Sequence, residues 1–475
     1  MSARFESLQV IEATADCAPS EMSFAGGESL RILPGRREVF RAQLNDPQRQ
    51  VVVKRYLPHT KQTRDWKNEW EGLKKLQVLG LPSPKPLAVG HIEGGDVCVL
   101  MEFIESAETL GDFLDNAPAE ACAAAMMALV RVANRLHESG ARQSDQHINN
   151  WVIAKGAIFL LDAGTFTFSE GALSEHDRLI DLSAICATLP PQAEAFFRKN
   201  LEEGYWPDGG RARTSVLGDN LERAIVQLQQ ERARRYFKKS QRSCTEFEVK
   251  EDSNSSGMFL RSADAQLVEQ FFANPEALMS KRERLKSGNT CTVQRIESGG
   301  RAYVLKRYNV KPFFTQLRRS LSPSRARMSW ANGWVLDLAF VATAKPIAFL
   351  DEGRFPRGRS YLLMEAIEGQ LLPDYVAKHS HSDVIMNDLV ESIGHVWDAL
   401  RRLRAAHGDL KATNWMVSAE GKVFLFDLDS FGFGLSDAAY QRGRLKDMNR
   451  FLKNWESHPD LAAAFRQRML GGCRT

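Results

Sequence analysis

The chain writes one order of short motifs twice, and a repeat this long sets the architecture before any single residue does. The first pass runs Val51-Val52-Val53-Lys54-Arg55-Tyr56, Lys85-Pro86, Leu100-Met101-Glu102, Asp145 with Asn150, and Leu160-Leu161-Asp162. The second runs Tyr303-Val304-Leu305-Lys306-Arg307-Tyr308, Lys345-Pro346, Leu363-Met364-Glu365, Asp409 with Asn414, and Leu425-Phe426-Asp427. Leu100 and Asp145 stand 45 positions apart, Leu363 and Asp409 46; from the loop aspartate to the strand-end aspartate the step is 17 and then 18. Two related domains are expected. The polar types that recur are Lys, Asp, Asn and Asp, which handle phosphate and metal rather than packing.

The boundaries follow from the repeat. Residues 1–205 form the first domain, 206–284 a basic helical connector without repeat motifs, and 285–475 the second domain. Within the first, Trp66, Trp70, Leu73, Leu76 and Leu79 keep helical spacing, Val97 to Met101 reads as a buried strand, and 119–138 as a long helix. After Asp162 only short helical material is expected.

The 43% apolar and 26% charged residues suit a soluble globular protein with two cores. A net charge of +4 fits an anionic partner but is too small for nucleic-acid binding, and none is expected. Seven scattered cysteines with no Cys-x-x-Cys argue against a disulfide framework or a zinc site and for a reducing cytoplasm. The start lacks a basic end followed by an apolar run, and no stretch is long enough to cross a bilayer.

His407-Gly408-Asp409-Leu410-Lys411-Ala412-Thr413-Asn414 is the sharpest motif. An aspartate, an asparagine five positions on, and an apolar strand ending in a second aspartate form a phosphoryl-transfer loop of protein-kinase type. Asn414 and Asp427 are hard oxygen ligands for Mg2+ on nucleotide phosphates. Asp409 orients an acceptor hydroxyl and takes its proton. Lys411 neutralises charge on the transferring group, and Lys306 holds the α and β phosphates. Each residue alone is ordinary loop or strand furniture; the doubled set is not.

The first copy keeps Asp145 as base, Asn150 and Asp162 as metal ligands and Lys54 as phosphate lysine. Glu69, on the following helix, is placed to pair with Lys54, although a solvated helix charge is the plainer alternative. Gln143 replaces His407, and His147 replaces Lys411. The second copy departs elsewhere. Aligning Trp70 with Trp330 puts Ser329 where Glu69 stands, so Lys306 is expected to lack a carboxylate partner, with Asp337 too far along. Neither copy has a full Gly-x-Gly-x-x-Gly; Gly35 and Ser287-Gly288-Asn289-Thr290 read equally well as hairpin turns.

These residues resemble the lipopolysaccharide-core sugar (heptose and Kdo) kinase family of Gram-negative bacteria, related in outline to RIO-type and aminoglycoside kinases. The second half carries the resemblance in 303–308, Ser329-Trp330-Ala331-Asn332-Gly333, Thr343-Ala344-Lys345-Pro346, His407 to Asn414, Phe426-Asp427-Leu428-Asp429 and Lys446-Asp447. The first half is similar to a sister branch. The resemblance implies an α+β fold of two tandem bilobal protein-kinase-like domains, each with a small antiparallel-sheet N-lobe and a reduced helical C-lobe. It implies ATP and Mg2+ as cofactors, and Met101-Glu102 and Met364-Glu365 as hinges presenting backbone groups to adenine. It places Asp181 and Asp447 where a helix aspartate buttresses the loop.

The expected activity is transfer of the γ-phosphoryl of ATP to a hydroxyl of the lipopolysaccharide core oligosaccharide or a lipid-linked precursor. The alternatives are a pseudokinase in core assembly and a RIO-like protein-serine kinase. The expected location is cytoplasmic, with peripheral contact at the inner membrane. The basic stretch Lys311 to Trp330, with Arg318, Arg319, Arg325 and Arg327, is the segment expected to meet an anionic membrane or phosphorylated sugar; a solvated helix face is its plainer reading.

Overall fold

The computed structural model describes residues 5–14, 21–45, 48–205, 211–279, 284–287, 290–310, 322–353, 355 and 358–471. It is a mixed α+β protein with antiparallel sheets, and it divides into two compact units, Met1–Leu228 and Gln229–Thr475.

The first unit opens with a closed six-stranded barrel. Its strands run in the order Phe5–Ala13, Glu21–Leu33, Arg37–Leu44, Arg49–Tyr56, Val97–Glu102 and Pro86–His91. A strand presents alternate residues to opposite faces. Val51 and Val53 therefore fill the barrel interior with Phe24, Phe40 and Leu100. Lys54 and Tyr56 take the other face, on which Tyr56 packs with Trp70, Leu73 and Leu76 of the helix Gln62–Val78.

The small antiparallel sheet expected here is present and closes into a barrel. The strand Phe5–Ala13, which carries no motif, pairs with both Glu21–Leu33 and Pro86–His91, and a bulge between Val10 and Glu12 bends it to do so. Closure removes the exposed edges that an open sheet would leave.

A helical part follows. Leu110–Asn116 and Ala119–Glu138 come first, then the hairpin Trp151–Ala154 with Ala157–Leu160. More helix lies after Asp162 than expected, in Glu175–Cys186 and Pro191–Gly204, and the helix expected beyond 206 is the 29-residue Arg211–Lys239.

The second unit opens with a seven-stranded antiparallel sheet in the order Phe247–Glu251, Ser255–Leu260, Pro346–Glu352, Ser360–Glu365, Arg301–Tyr308, Cys291–Ser298 and Arg284–Ser287. Lys306 pairs with Leu362 as Lys54 pairs with Val99. The expected connector 206–284 is not a separate element. Its strand Ser255–Leu260 pairs with Pro346–Glu352, the position Phe5–Ala13 takes beside Pro86–His91. The hairpin covers an edge that Phe349, Leu350 and Ala348 would otherwise expose.

Helix Arg325–Leu338 packs on this sheet, burying Trp330 and Trp334. The helical part contains Leu372–His379, Asp383–Arg402, Asp437–Leu452 and Pro459–Gly471, around the short hairpin Trp415–Val417 with Val423–Leu425. Among the described residues no helix is long and apolar enough to cross a membrane.

Candidate active site

In the second unit the lysine strand and the strand-end aspartate meet. Lys306 lies on the helix-facing side of its strand, 7% exposed, and its Nζ stands 2.5 Å from Asp427 Oδ1 and 3.0 Å from Asp429 Oδ1. Asp427 ends its strand in the left-handed region, at φ 64° and ψ 58°. An aspartate is one of the few side chains that tolerates this conformation.

The expectation that Lys306 lacks a second carboxylate fails. Asp429 supplies it from the loop, two positions past Asp427. Asp429 also accepts hydrogen bonds from Tyr308 (2.6 Å) and Ser329 (2.9 Å) and pairs with Arg325. Burial works against its charge, but Lys306 and Arg325 outweigh burial and hold its pKa below the usual value. For Lys306, burial disfavours the ammonium, and Tyr308, Asp429 and Asp427 outweigh it, so its pKa is raised. Taking such charges out of water is tolerable only because each has a partner. The signal for Asp429 is present in Phe426-Asp427-Leu428-Asp429, two positions past the strand-end aspartate rather than on the helix.

The first unit builds the same site from the other direction. Lys54 Nζ is 2.5 Å from Glu69 Oε1 on the helix and 3.2 Å from Asp162 Oδ1. Glu69 is 1% exposed and accepts a hydrogen bond from the Gly164 amide at 3.0 Å, so it is no solvated helix charge. Gly164 holds the position of Asp429, two past the aspartate. A Cβ there would lie 3.2 Å from Glu69 Oε2. The paired residues are therefore Glu69 with Gly164 in one unit and Ser329 with Asp429 in the other. One carboxylate sits beside the lysine either way.

Asp162 also lies in the left-handed region, at φ 58° and ψ 53°. It has a partner with no counterpart on Asp427 among the described residues: Arg37 Nη1, at 3.2 Å from Oδ1. Burial raises its pKa, but Lys54 and Arg37 outweigh burial and lower it to about 2. Arg37 was not foreseen, because only strand register brings it opposite Tyr56.

The loops match as well. Asn150 Nδ2 donates to Asp145 O at 2.9 Å, and Asn414 Nδ2 to Asp409 O at 2.8 Å. Each asparagine is buried and keeps its side-chain oxygen as the end free of that bond. His407 Nε2 donates to Phe426 O at 3.0 Å, and its Nδ1 accepts from the Asp409 amide at 3.3 Å. Burial pushes the His407 pKa below its ordinary value, in keeping with a neutral ring. Gln143 Nε2 reproduces the first bond, donating to Leu161 O at 3.0 Å. The replacement of histidine by glutamine thus preserves the tie to the strand end.

Asp447 accepts from the His407 amide at 2.7 Å and the Gly408 amide at 3.0 Å, and is 2% exposed. Asp181, equally buried, accepts from Gln146 at 2.9 Å and pairs with His137 at 3.0 Å. Both helix aspartates therefore brace the loop. Asp409 itself pairs with Arg450 at 2.5 Å and stands 3.7 Å from Lys411 Nζ. Asp145 is exposed, and the His147 Nδ1 at the Lys411 position caps the Asn149 amide at 3.1 Å.

Two expectations change. At the hinges, Met101 is buried and Met364 partly so, but the amides of Glu102 and Glu365 already donate to Lys85 O and Lys345 O, each at 2.9 Å. The neighbouring antiparallel strand claims these two amides, so the hinges would have to use their other backbone groups. In the basic stretch, Lys311, Arg318 and Arg319 lie outside the described residues. Arg325 is engaged with Asp429, and the Arg327 guanidinium lies 5.5 Å from the Phe349 ring centroid.

No curated protein matches the chain. Residues 269–469 match the family described as Lipopolysaccharide kinase (Kdo/WaaP) family, and that stretch contains Lys306, Asp409, Asn414, Asp427 and Asp429. That stretch lies within the second unit, which is similar there to the lipopolysaccharide kinase (Kdo/WaaP) family.

Proposed function

We propose that the second unit transfers the γ-phosphoryl of ATP to a hydroxyl of a lipopolysaccharide core sugar, heptose or Kdo, and that both units are bilobal kinase-like domains in tandem. The observation that carries this reading is the convergence of Lys306 and Asp427, on a left-handed turn, in the unit that also holds the braced Asp409 loop. The family match over residues 269–469 supports a phosphotransferase acting in lipopolysaccharide assembly.

The donor set of Asn414 and Asp427 is all oxygen and fits Mg2+, which when bound supplies charge neutralisation at the β and γ phosphates. Lys306 binds the α and β phosphates, its position fixed by Asp427 and Asp429. Asp409 orients the acceptor hydroxyl and takes its proton as the new O–P bond forms and the bond to the β-phosphate oxygen breaks. Lys411 and Arg450 flank that carboxylate and face the charge that builds on the transferring group. Peripheral membrane contact rests on Lys311, Arg318 and Arg319, since Arg325 and Arg327 have internal roles.

Mass spectrometry of core oligosaccharide from cells carrying Asp409→Asn tests this reading. The core should lose one phosphate. An unchanged phosphate count would remove the sugar-kinase reading. Loss of phosphate from a protein instead would favour the protein-serine kinase.

A further inference from the structure

The first unit has a cleft of about 420 Å³ at its lysine site, lined among others by Arg36, Arg37, His59, Arg64, Glu69 and Asp162. Arg36 and Arg64 share one carboxylate, Asp65, at 2.9 and 3.1 Å. Lys54 and Arg37 share one oxygen of Asp162, at 3.2 Å each. The buried Lys54, the half-buried Arg37 and the exposed Arg36 and Arg64 therefore meet three carboxylates, Asp65, Glu69 and Asp162, with His59 beside Asp65.

The contrast with the second unit is positional. Arg37 pairs with Tyr56 in the sheet, and at the same register Cys291 pairs with Tyr308. The second unit's guanidinium, Arg325, goes to Asp429, and among the described residues Asp427 forms an ion pair with Lys306 alone. Both units place a lysine ammonium on this carboxylate, but at Asp162 a divalent cation would also meet the Arg37 guanidinium on the same oxygen, and like charges this close in a partly desolvated site repel strongly. The residues of the first unit thus do not fit Mg2+, although Asn150 and Asp162 are the metal-ligand types. A polyphosphate chain has the opposite requirement, and a guanidinium neutralises it with fixed bidentate geometry.

We propose that the cleft of the first unit binds a nucleoside triphosphate without a divalent cation, with Arg37 in the place of the metal, and that this unit does not transfer phosphate. The claim concerns the first unit alone and stands or falls separately from catalysis by the second. The test uses the full chain with Lys306→Ala and Asp427→Ala disabling the second site, titrated with a fluorescent ATP analogue in EDTA and in magnesium chloride. Affinities in the two should agree within about threefold. Arg37→Ala should lower the EDTA affinity by at least about tenfold, the loss of a charge-assisted contact. Arg37→Lys, which keeps the charge and loses the bidentate fork, should retain only part of it, and Arg64→Glu at the exposed rim should weaken it without threatening folding. Magnesium-dependent binding, absent binding, or an unchanged EDTA affinity in Arg37→Ala would each overturn the proposal.

Discussion

Replacing Asp429 by alanine removes the acceptor shared by Lys306, Arg325, Tyr308 and Ser329. Breaking a buried pair by deleting one partner costs about 3–5 kcal/mol, because the other charge is left behind. Two features reduce that here. Lys306 retains Asp427, and the Arg325 side chain is 37% exposed, so water screens its loss. The expected cost is about 2–3 kcal/mol in the second unit, or roughly 4–12 °C in its melting transition. Denaturant unfolding of the full chain followed by tryptophan fluorescence reports it, since Trp330, Trp334, Trp397, Trp415 and Trp455 all lie in that unit. The double variant Ser329→Glu with Asp429→Gly transplants the first unit's arrangement and should recover about half of the loss relative to Asp429→Gly alone. A cost below about 0.5 kcal/mol for Asp429→Ala, or no recovery in the double variant, would refute the reasoning.

Three further outcomes follow from the same geometry. His407→Gln should keep the bond to Phe426 O, as Gln143 does to Leu161 O, and should remove an acid sensitivity. A histidine with a lowered folded pKa takes up its proton more readily when unfolded, so its stabilising effect is lost as pH falls below about 6.5; pH-dependent melting of the two proteins should diverge there. Gly408 has φ 82°, and a Cβ would lie 2.9 Å from Ser430 O, so Gly408→Ala should cost about 1–3 kcal/mol in unfolding experiments and displace Asp409 enough to slow turnover. Asp162, lowered to about 2, contributes stability above its unfolded pKa near 4 that disappears as pH falls toward 2; Asp162→Asn should flatten that acid limb by roughly 2 kcal/mol.

The site was legible where its residues are local or repeated. Lys54 with Asp162, and Lys306 with Asp427, were paired by motif order, and the structure brings each pair within 3.2 Å. The helix Ala119–Glu138 and the strand Val97–Glu102 follow directly from periodicity and burial. Less legible were contacts set by register. Arg37 reaches Asp162 only because it stands opposite Tyr56 across a sheet. Asp429 reaches Lys306 only because a left-handed residue turns the chain after the strand. The barrel was hidden for a similar reason: Phe5–Ala13 has ordinary alternation, and nothing local says that it pairs on both sides. Similarly, the hairpin of Phe247–Glu251 and Ser255–Leu260 has no motif and joins its sheet through a partner about 90 residues away.

The most direct test of the central claim is transfer of labelled γ-phosphate from ATP to dephosphorylated lipopolysaccharide core by the purified full chain. Wild type and Lys54→Met should label the core in a magnesium-dependent reaction, and Lys306→Met and Asp409→Asn should not. Labelling that survives Asp409→Asn but vanishes with Lys54→Met would place the chemistry in the wrong unit and contradict the account.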